Sequence, residues 1–259
     1  MTSAATPAGP SARRIVGVLG GMGPAASAYF CLRLAQATAA RRDQDHLHVI
    51  LDSDPSVPDR TDFLLGRGQD PVPALITMAR RLTAAGADLL VMACNSASPF
   101  TAQVAEAVSA EMVDWVGGSV GAIIASRPAQ PAVGLLATEG TAASGVYQRH
   151  LKEQGATVIL PDQAMQAEVT AAIYDVKSGA TGLEGRQESV LEVASSLASK
   201  GADSLLISCT ELSLLFSGTG SDWPVPATDA LDAVAARTVA LAGGVLRRSS
   251  STADTEQRK

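Results

Sequence analysis

Aromatic side chains are scarce in this chain: four Phe, three Tyr and two Trp in 259 residues. A core must therefore be filled mainly by Ala, Val, Leu and Ile. Hydrophobic residues reach 46% and charged residues only 18%, which supports a packed interior and argues against wholesale disorder. Basic residues are not in excess. Twenty Lys and Arg stand against 26 Asp and Glu, for a net charge of −6, so a nucleic-acid partner is not expected. No run of eighteen or more apolar residues occurs, and no membrane span is expected. Cysteine is rare: Cys31, Cys94 and Cys209 are an odd, small set for a chain this long, unlike a disulfide framework. A reducing cytoplasm is the expected location. His46, His48 and His150 stand at no zinc spacing, and no metal is expected. Residues 1–11 are rich in Ala, Pro, Ser and Thr and lack the apolar stretch of a signal peptide; together with the polar residues 249–259 they are expected to be disordered.

Against these absences stands an internal repeat. The run Gly86-Ala87-Asp88-Leu89-Leu90-Val91-Met92-Ala93-Cys94-Asn95 is matched by Gly201-Ala202-Asp203-Ser204-Leu205-Leu206-Ile207-Ser208-Cys209-Thr210. The offset is 115 from Gly86 to Gly201 and again from Cys94 to Cys209. Earlier in each half, Val16-Gly17-Val18-Leu19 through Gly23 to Ser27 resembles Val133-Gly134-Leu135-Leu136 through Gly140 to Ser144, at an offset of 117. Two matched pairs in the same order argue for two copies of one architecture.

Short apolar runs bounded by Gly and Asp read as buried parallel strands, with amphipathic helices as crossovers. Strands are predicted near residues 14–20, 47–53, 88–93 and 112–116, then near 131–137, 156–160 and 203–208. The Ala-rich stretch 229–246 reads as a C-terminal helix capped by Thr228 or Asp229. The predicted fold is α/β: two pseudo-symmetric three-layer αβα lobes with mainly parallel sheets and an active site between them. Residues 12–125 with 226–248 are assigned to the first lobe and 126–225 to the second.

Ligands of open parallel sheets bind beyond the carboxyl ends of the strands. Cys94 and Cys209 both fall there, each between an apolar strand and an expected helix whose N-terminus favours a thiolate. Cys31, inside the first helix, reads instead as a small buried hydrophobe. Two matched thiols facing one cleft suit inversion of a stereocentre: one removes a proton, the other delivers one to the opposite face.

Six motifs in order resemble the aspartate/glutamate racemase superfamily, on its aspartate racemase branch, over residues 14–245. They are Gly20-Gly21-Met22-Gly23-Pro24, Pro58-Asp59-Arg60-Thr61, Ala93-Cys94-Asn95-Ser96-Ala97, Ala137-Thr138-Glu139-Gly140-Thr141, Tyr174-Asp175-Val176-Lys177-Ser178-Gly179 and Cys209-Thr210-Glu211-Leu212. The resemblance implies 1,1-proton transfer by Cys94 and Cys209 without pyridoxal phosphate or any other cofactor, on a small acidic amino acid, usually in a homodimer. It implies that Asn95 and Thr210 hold the α-carboxylate. Asp59 and Glu211 would lie beside the thiols, setting their protonation or binding the substrate ammonium. Arg60 and Lys177 would meet the side-chain carboxylate, the first as a two-pronged fork and the second as a point charge. The turn carrying Met22 and Gly23 would bring backbone amides to the substrate, and Ser96, Ser98 and Thr141 would line the same pocket.

One departure bears on specificity. The aspartate racemase pattern has His where this chain has Ser98, and the glutamate racemase pattern has His after the second Cys-Thr, where this chain has Glu211. A larger or modified acidic amino acid thus becomes a candidate substrate. Two other readings keep the scaffold: a cis–trans isomerase of a small unsaturated diacid, and a non-catalytic dicarboxylate-binding protein. A decarboxylase-like pattern needs only one thiol and fits less well.

Overall fold

A computed structural model describes residues 13–127, 130–218 and 222–247. The expectation of disordered ends falls outside these residues. The first half runs β1 (Val16–Gly20), α1 (Pro24–Ala37), β2 (Val49–Ser53), α2 (Arg60–Leu64), α3 (Val72–Ala84), β3 (Leu89–Met92), α4 (Thr101–Ala105), β4 (Glu111–Met112) and α5 (Trp115–Ala125). The second runs β5 (Ala132–Ala137), α6 (Glu139–Ser144), α7 (Val146–Glu153), β6 (Thr157–Ile159), α8 (Gln163–Lys177), α9 (Glu184–Ser199), β7 (Ser204–Ser208), α10 (Thr210–Leu215), β8 (Ala227–Asp229) and α11 (Ala230–Leu241). The strands form two four-stranded sheets, ordered β2-β1-β3-β4 and β6-β5-β7-β8, with every pairing parallel. The fold is the two-lobed α/β architecture predicted.

The repeat is visible down to register. Val16 faces Leu89 in the first sheet and Val133 faces Ser204 in the second, the same two offsets as in the sequence. The Gly-Ala-Asp motif has a structural task in both copies. Gly86 and Gly201 turn the chain at φ +96° and +100°, where a side chain would be strained. The following Asp then ties the strand's start to its neighbour. The Asp88 carboxylate accepts from Ile15 N–H at 3.0 Å, and Asp203 accepts from Ala132 N–H at 2.9 Å.

Two helices cross between the lobes. Val116, Val120 and Ile123 of α5 pack with Val133 and Leu135 of the second sheet and with Tyr147 of α7. Leu231, Val234 and Val239 of α11 pack with Val16, Val18 and Phe30 of the first lobe. The C-terminal helix thus packs on the first lobe. Residues 227–229, assigned by sequence to that lobe, instead form the edge strand β8 of the second sheet, paired with β7. Ala-Thr-Asp is too short to carry a period, and its Asp229 also caps α11 by accepting from Leu231 N–H. The strand predicted at 112–116 stops at Met112, because the Asp114 side chain accepts from Gly117 N–H and starts α5. The helix predicted to run to 246 ends at Leu241, before Gly243 at φ +74°.

Candidate active site

Cys209 follows β7 directly and Cys94 follows β3 after Ala93, with near-identical extended backbones (φ −158°, ψ 117° for Cys94 and φ −151°, ψ 126° for Cys209). Cys94 opens a 3-10 turn, Asn95–Phe100; Cys209 is the N-cap residue of α10. Both thiols are free and buried. Cys31 is free too, but half-exposed on α1.

Glu211, buried at 4% exposure, ties this region together. Its Oε2 accepts from the Cys209 thiol at 3.2 Å and from the Thr210 hydroxyl at 3.2 Å. Its Oε1 accepts from Gly23 N–H of the first lobe at 3.1 Å. Burial raises the pKa of Cys209 well above the ordinary thiol value, and the adjacent Glu211 carboxylate raises it further, against the opposing pull of Lys177. Cys209 thus rests as a protonated thiol donating to a carboxylate. Thr210, expected at the substrate carboxylate, spends its hydroxyl on Glu211 in this state.

Lys177 is the last residue of α8, half-buried, with its ammonium over the Tyr174 ring at 5.4 Å. Burial works against its charge. Glu211 and the ionised forms of Cys94 and Cys209 outweigh that and leave its pKa raised, with Arg60 opposing. Lys177 is therefore within electrostatic reach of both thiols, Glu211 and Arg60, so the sequence-predicted cations and thiols converge. It has no carboxylate within 4.0 Å among the described residues.

Arg60, 5% exposed, lies at the start of α2 and donates to the carbonyls of Val57, Pro58 and Met22 at 3.2, 2.9 and 3.1 Å. Its Nε is buried without a partner among the described residues. The guanidinium is thus held by backbone rather than by an acid, which leaves its charge available to an anion. Asp59 has a task the sequence reading did not assign: it is the N-cap of α2, accepting from Asp62 N–H at 3.0 Å. Burial opposes its ionisation, but that N–H, with Arg60 and Lys177, holds its pKa below the usual value.

Asn95 adds a directed donor. Its Oδ1 accepts from the Trp115 indole N–H at 2.8 Å and from the Tyr147 hydroxyl, while Nδ2 is buried with no partner among the described residues. The Ser98 hydroxyl is likewise buried and unpartnered among them. Ser96 and Thr141, read as pocket-lining, hydrogen-bond to each other at 3.0 Å and to Thr138 at 2.9 Å each. Met22 contributes its carbonyl to Arg60, and Gly23 its N–H to Glu211.

The sequence reading missed Trp115, Tyr147 and Thr138 as members of this region. The signal available for the first two was their rarity: in an aromatic-poor chain they are among the largest fully buried side chains. A cavity of about 760 Å³ lies elsewhere, between α6 and α8, lined by Glu139, Ala142, Leu160, Gln166 and Thr170 among others; none of the residues above lines it. Among the described residues no helix is long and apolar enough to cross a membrane, and no group of three or more His, Cys, Asp or Glu could hold a metal ion.

Comparison with known proteins bears on the family and the fold. Residues 19–238 match the family model of Asp/Glu/hydantoin racemases. The broad specificity amino-acid racemase RacX of Bacillus subtilis is 28% identical over 218 residues, covering 82% of this chain and 91% of the relative. Picrophilus torridus aspartate racemase superposes with a TM-score of 0.79 at 29% identity, covering 90% of this chain and 96% of that one. The glutamate racemase of Francisella tularensis in complex with D-glutamate has a TM-score of 0.61 at 16% identity, covering 89% and 81%; this likeness is one of fold.

Proposed function

The chain belongs to the Asp/Glu/hydantoin racemase family and is an amino-acid racemase, and on that premise we propose that it inverts aspartate, glutamate or a related acidic amino acid by two-cysteine proton transfer without a cofactor. The observation that carries this reading is the equivalence of Cys94 and Cys209, one buried thiol after the same strand of each copy, both felt by Lys177.

In one direction the Cys94 thiolate takes the α-proton, and the Cys209 thiol gives its proton to the opposite face of the α-carbon. Each sulfur ends in the other's starting state, and the reverse reaction uses them in exchanged roles. The protonated resting state of Cys209 suits it to begin as the acid. When its proton leaves, Lys177 offsets the new thiolate, and Glu211 remains as acceptor to Gly23 and Thr210. The α-proton is weakly acidic, so charge building on the substrate carboxylate needs donors already in position. Asn95 Nδ2 is one such donor, while the unsaturated Arg60 and Lys177 charges suit a side-chain carboxylate.

The breadth of the substrate range is part of the proposal. A small Ser98 with an unpartnered hydroxyl leaves the pocket less committed than an imidazole would, and RacX, a relative over most of both chains, is named for broad specificity. The proposal also includes a homodimer in a reducing cytoplasm, where the free thiols stay reduced. With both thiols under 5% exposed, substrate entry requires the lobes or their loops to part.

Proton NMR in deuterated water, with reductant and no added cofactor, tests the reading. L-Aspartate and L-glutamate in separate tubes should lose the α-proton signal while the D-enantiomer appears. Cys94→Ser and Cys209→Ser should each reduce inversion about 10²- to 10⁴-fold. Full activity in either variant sinks the two-thiol mechanism. Turnover of maleate with no amino acid exchanged would select the diacid isomerase instead.

A further inference from the structure

The two copies differ around the first thiol in a way that packing does not require. At the offset of 117, Tyr147 is the counterpart of Phe30, and Leu151 of Leu34. Phe30 and Tyr147 are both 0% exposed. Phe30 packs on Trp115 with ring centroids 5.4 Å apart, so an aromatic ring alone fills this kind of position. Tyr147 carries in addition a hydroxyl that must be satisfied inside the protein. It meets Asn95 Oδ1, beside Cys94.

The same oxygen accepts the Trp115 indole N–H at 2.8 Å. An indole N–H can only donate, so the atom it meets is the amide oxygen, and the orientation of the Asn95 amide follows. With Oδ1 occupied by two donors from α5 and α7, Nδ2 is turned away from them, buried and unpartnered among the described residues. The second copy has no such device. The counterpart of Asn95 is Thr210, whose hydroxyl is engaged by Glu211, and the counterpart of Trp115 is Ala230.

We propose that Trp115 and Tyr147 are positioning residues that lock the Asn95 amide so that its Nδ2 group receives the α-carboxylate of the substrate, on one side of the duplicated site only. The inference rests on the racemase reading above for the identity of the ligand. Neither aromatic touches the reacting atoms. They act by removing the amide's alternative rotamers and its flipped state, either of which would present an oxygen to an anion.

Tyr147→Phe is the decisive variant, because the other copy already folds with Phe at this position. Its effect is read on the Cys94→Ser/Cys209→Ser protein, in which turnover should be blocked, by calorimetric titration with L-aspartate and L-glutamate. Removing one of the two hydrogen bonds that hold the amide is expected to raise Kd about 3- to 10-fold. Trp115→Phe is expected to act in the same direction. In an Asn95→Ala background Tyr147→Phe should have no further effect, whereas a general packing defect would add there too. In the enzyme with both thiols KM should rise and kcat should fall as well, because the same Nδ2 group meets the charge that builds on the carboxylate. Unchanged Kd in Tyr147→Phe, or equal weakening with and without the Asn95 side chain, overturns the lock. Failure to bind either amino acid overturns it as well. Binding with coupling but no α-proton exchange would sink the racemase reading and leave the lock standing.

Discussion

Gly23 and Glu211, 188 positions apart, are joined by a 3.1 Å hydrogen bond from the glycine N–H to the carboxylate that also accepts from the Cys209 thiol. The contact runs from the first lobe to the second, so the protonation of one thiol is coupled to the meeting of the lobes. Glu211 raises the Cys209 pKa, and removing its charge must lower it. Glu211→Gln should therefore shift the pH midpoint of Cys209 alkylation downward. Peptide mapping by mass spectrometry separates Cys209 from Cys31 and Cys94. A midpoint that stays in position would mean that burial alone sets the thiol.

A second junction between lobes depends on a missing side chain. A Cβ on Gly140 of α6 would stand 2.7 Å from the Cα of Thr61 in α2, and backbone cannot yield as a flexible side chain can. Gly140→Ala should push α2 from α6, at a cost of about 1–3 kcal/mol typical of overpacking. Because α2 carries Arg60 and is capped by Asp59, the same variant should raise KM for a dicarboxylate amino acid. Melting and steady-state kinetics on one preparation check both; a parent-like Tm would show that the junction is free to adjust.

Much of this was legible in the sequence. The two Gly-Ala-Asp runs gave β3, β7 and both cysteines, because repetition is a long-range signal that a single sequence carries openly. Strand β8 was hidden because three residues show no alternation, and because Asp229 spoke more strongly as a helix cap. The exchange of α5 and α11 between lobes was half hidden: an apolar face shows that a helix is buried, not which sheet it covers. The rarity of Trp115 and Tyr147 marked them out, but not as site members, because their partner Asn95 lies 20 and 52 positions away and only the fold brings them together.

Asp59 carries two readings that a pair of variants separates. It caps α2 through Asp62 N–H, and it is held ionised next to Arg60 and Lys177. Asn at this position keeps the cap, while Ala loses about 1 kcal/mol of it. If the charge also serves the thiols or the substrate ammonium, Asp59→Asn should melt like the parent yet lose about tenfold or more in kcat/KM. Parent-like kinetics in Asp59→Asn would confine the residue to capping.

Asp229 makes a pH-dependent prediction outside the chemistry. It is half-buried at the end of β8, where the chain enters α11, and it accepts from Leu231 N–H and from the Ser213 hydroxyl at 2.8 Å each. Burial raises its pKa to about 6 and nearby Asp232 adds to the rise, while Ser213 and the helix N–H groups oppose it. The folded value lies above the usual 3.8, so the folded state binds this proton more tightly than the unfolded chain does. The contribution of Asp229 to stability is therefore complete below about pH 4 and declines as the pH rises to about 6. The total is on the order of 3 kcal/mol. The depressed carboxylates run the other way: Asp54, held near 2 by Ser56 and Arg81, stabilises above its unfolded value and loses that only in stronger acid. Between pH 4 and 6 the slope due to Asp229 should thus stand apart. Urea titrations across this window should give a falling stability component in the parent that is missing in Asp229→Asn. The difference in slope is the readout, since Asn shifts the absolute stability through its extra buried N–H₂ group. Parallel curves for the two proteins would mean that Asp229 enters the fold already ionised, its charge carried by Ser213 and the N-terminus of α11.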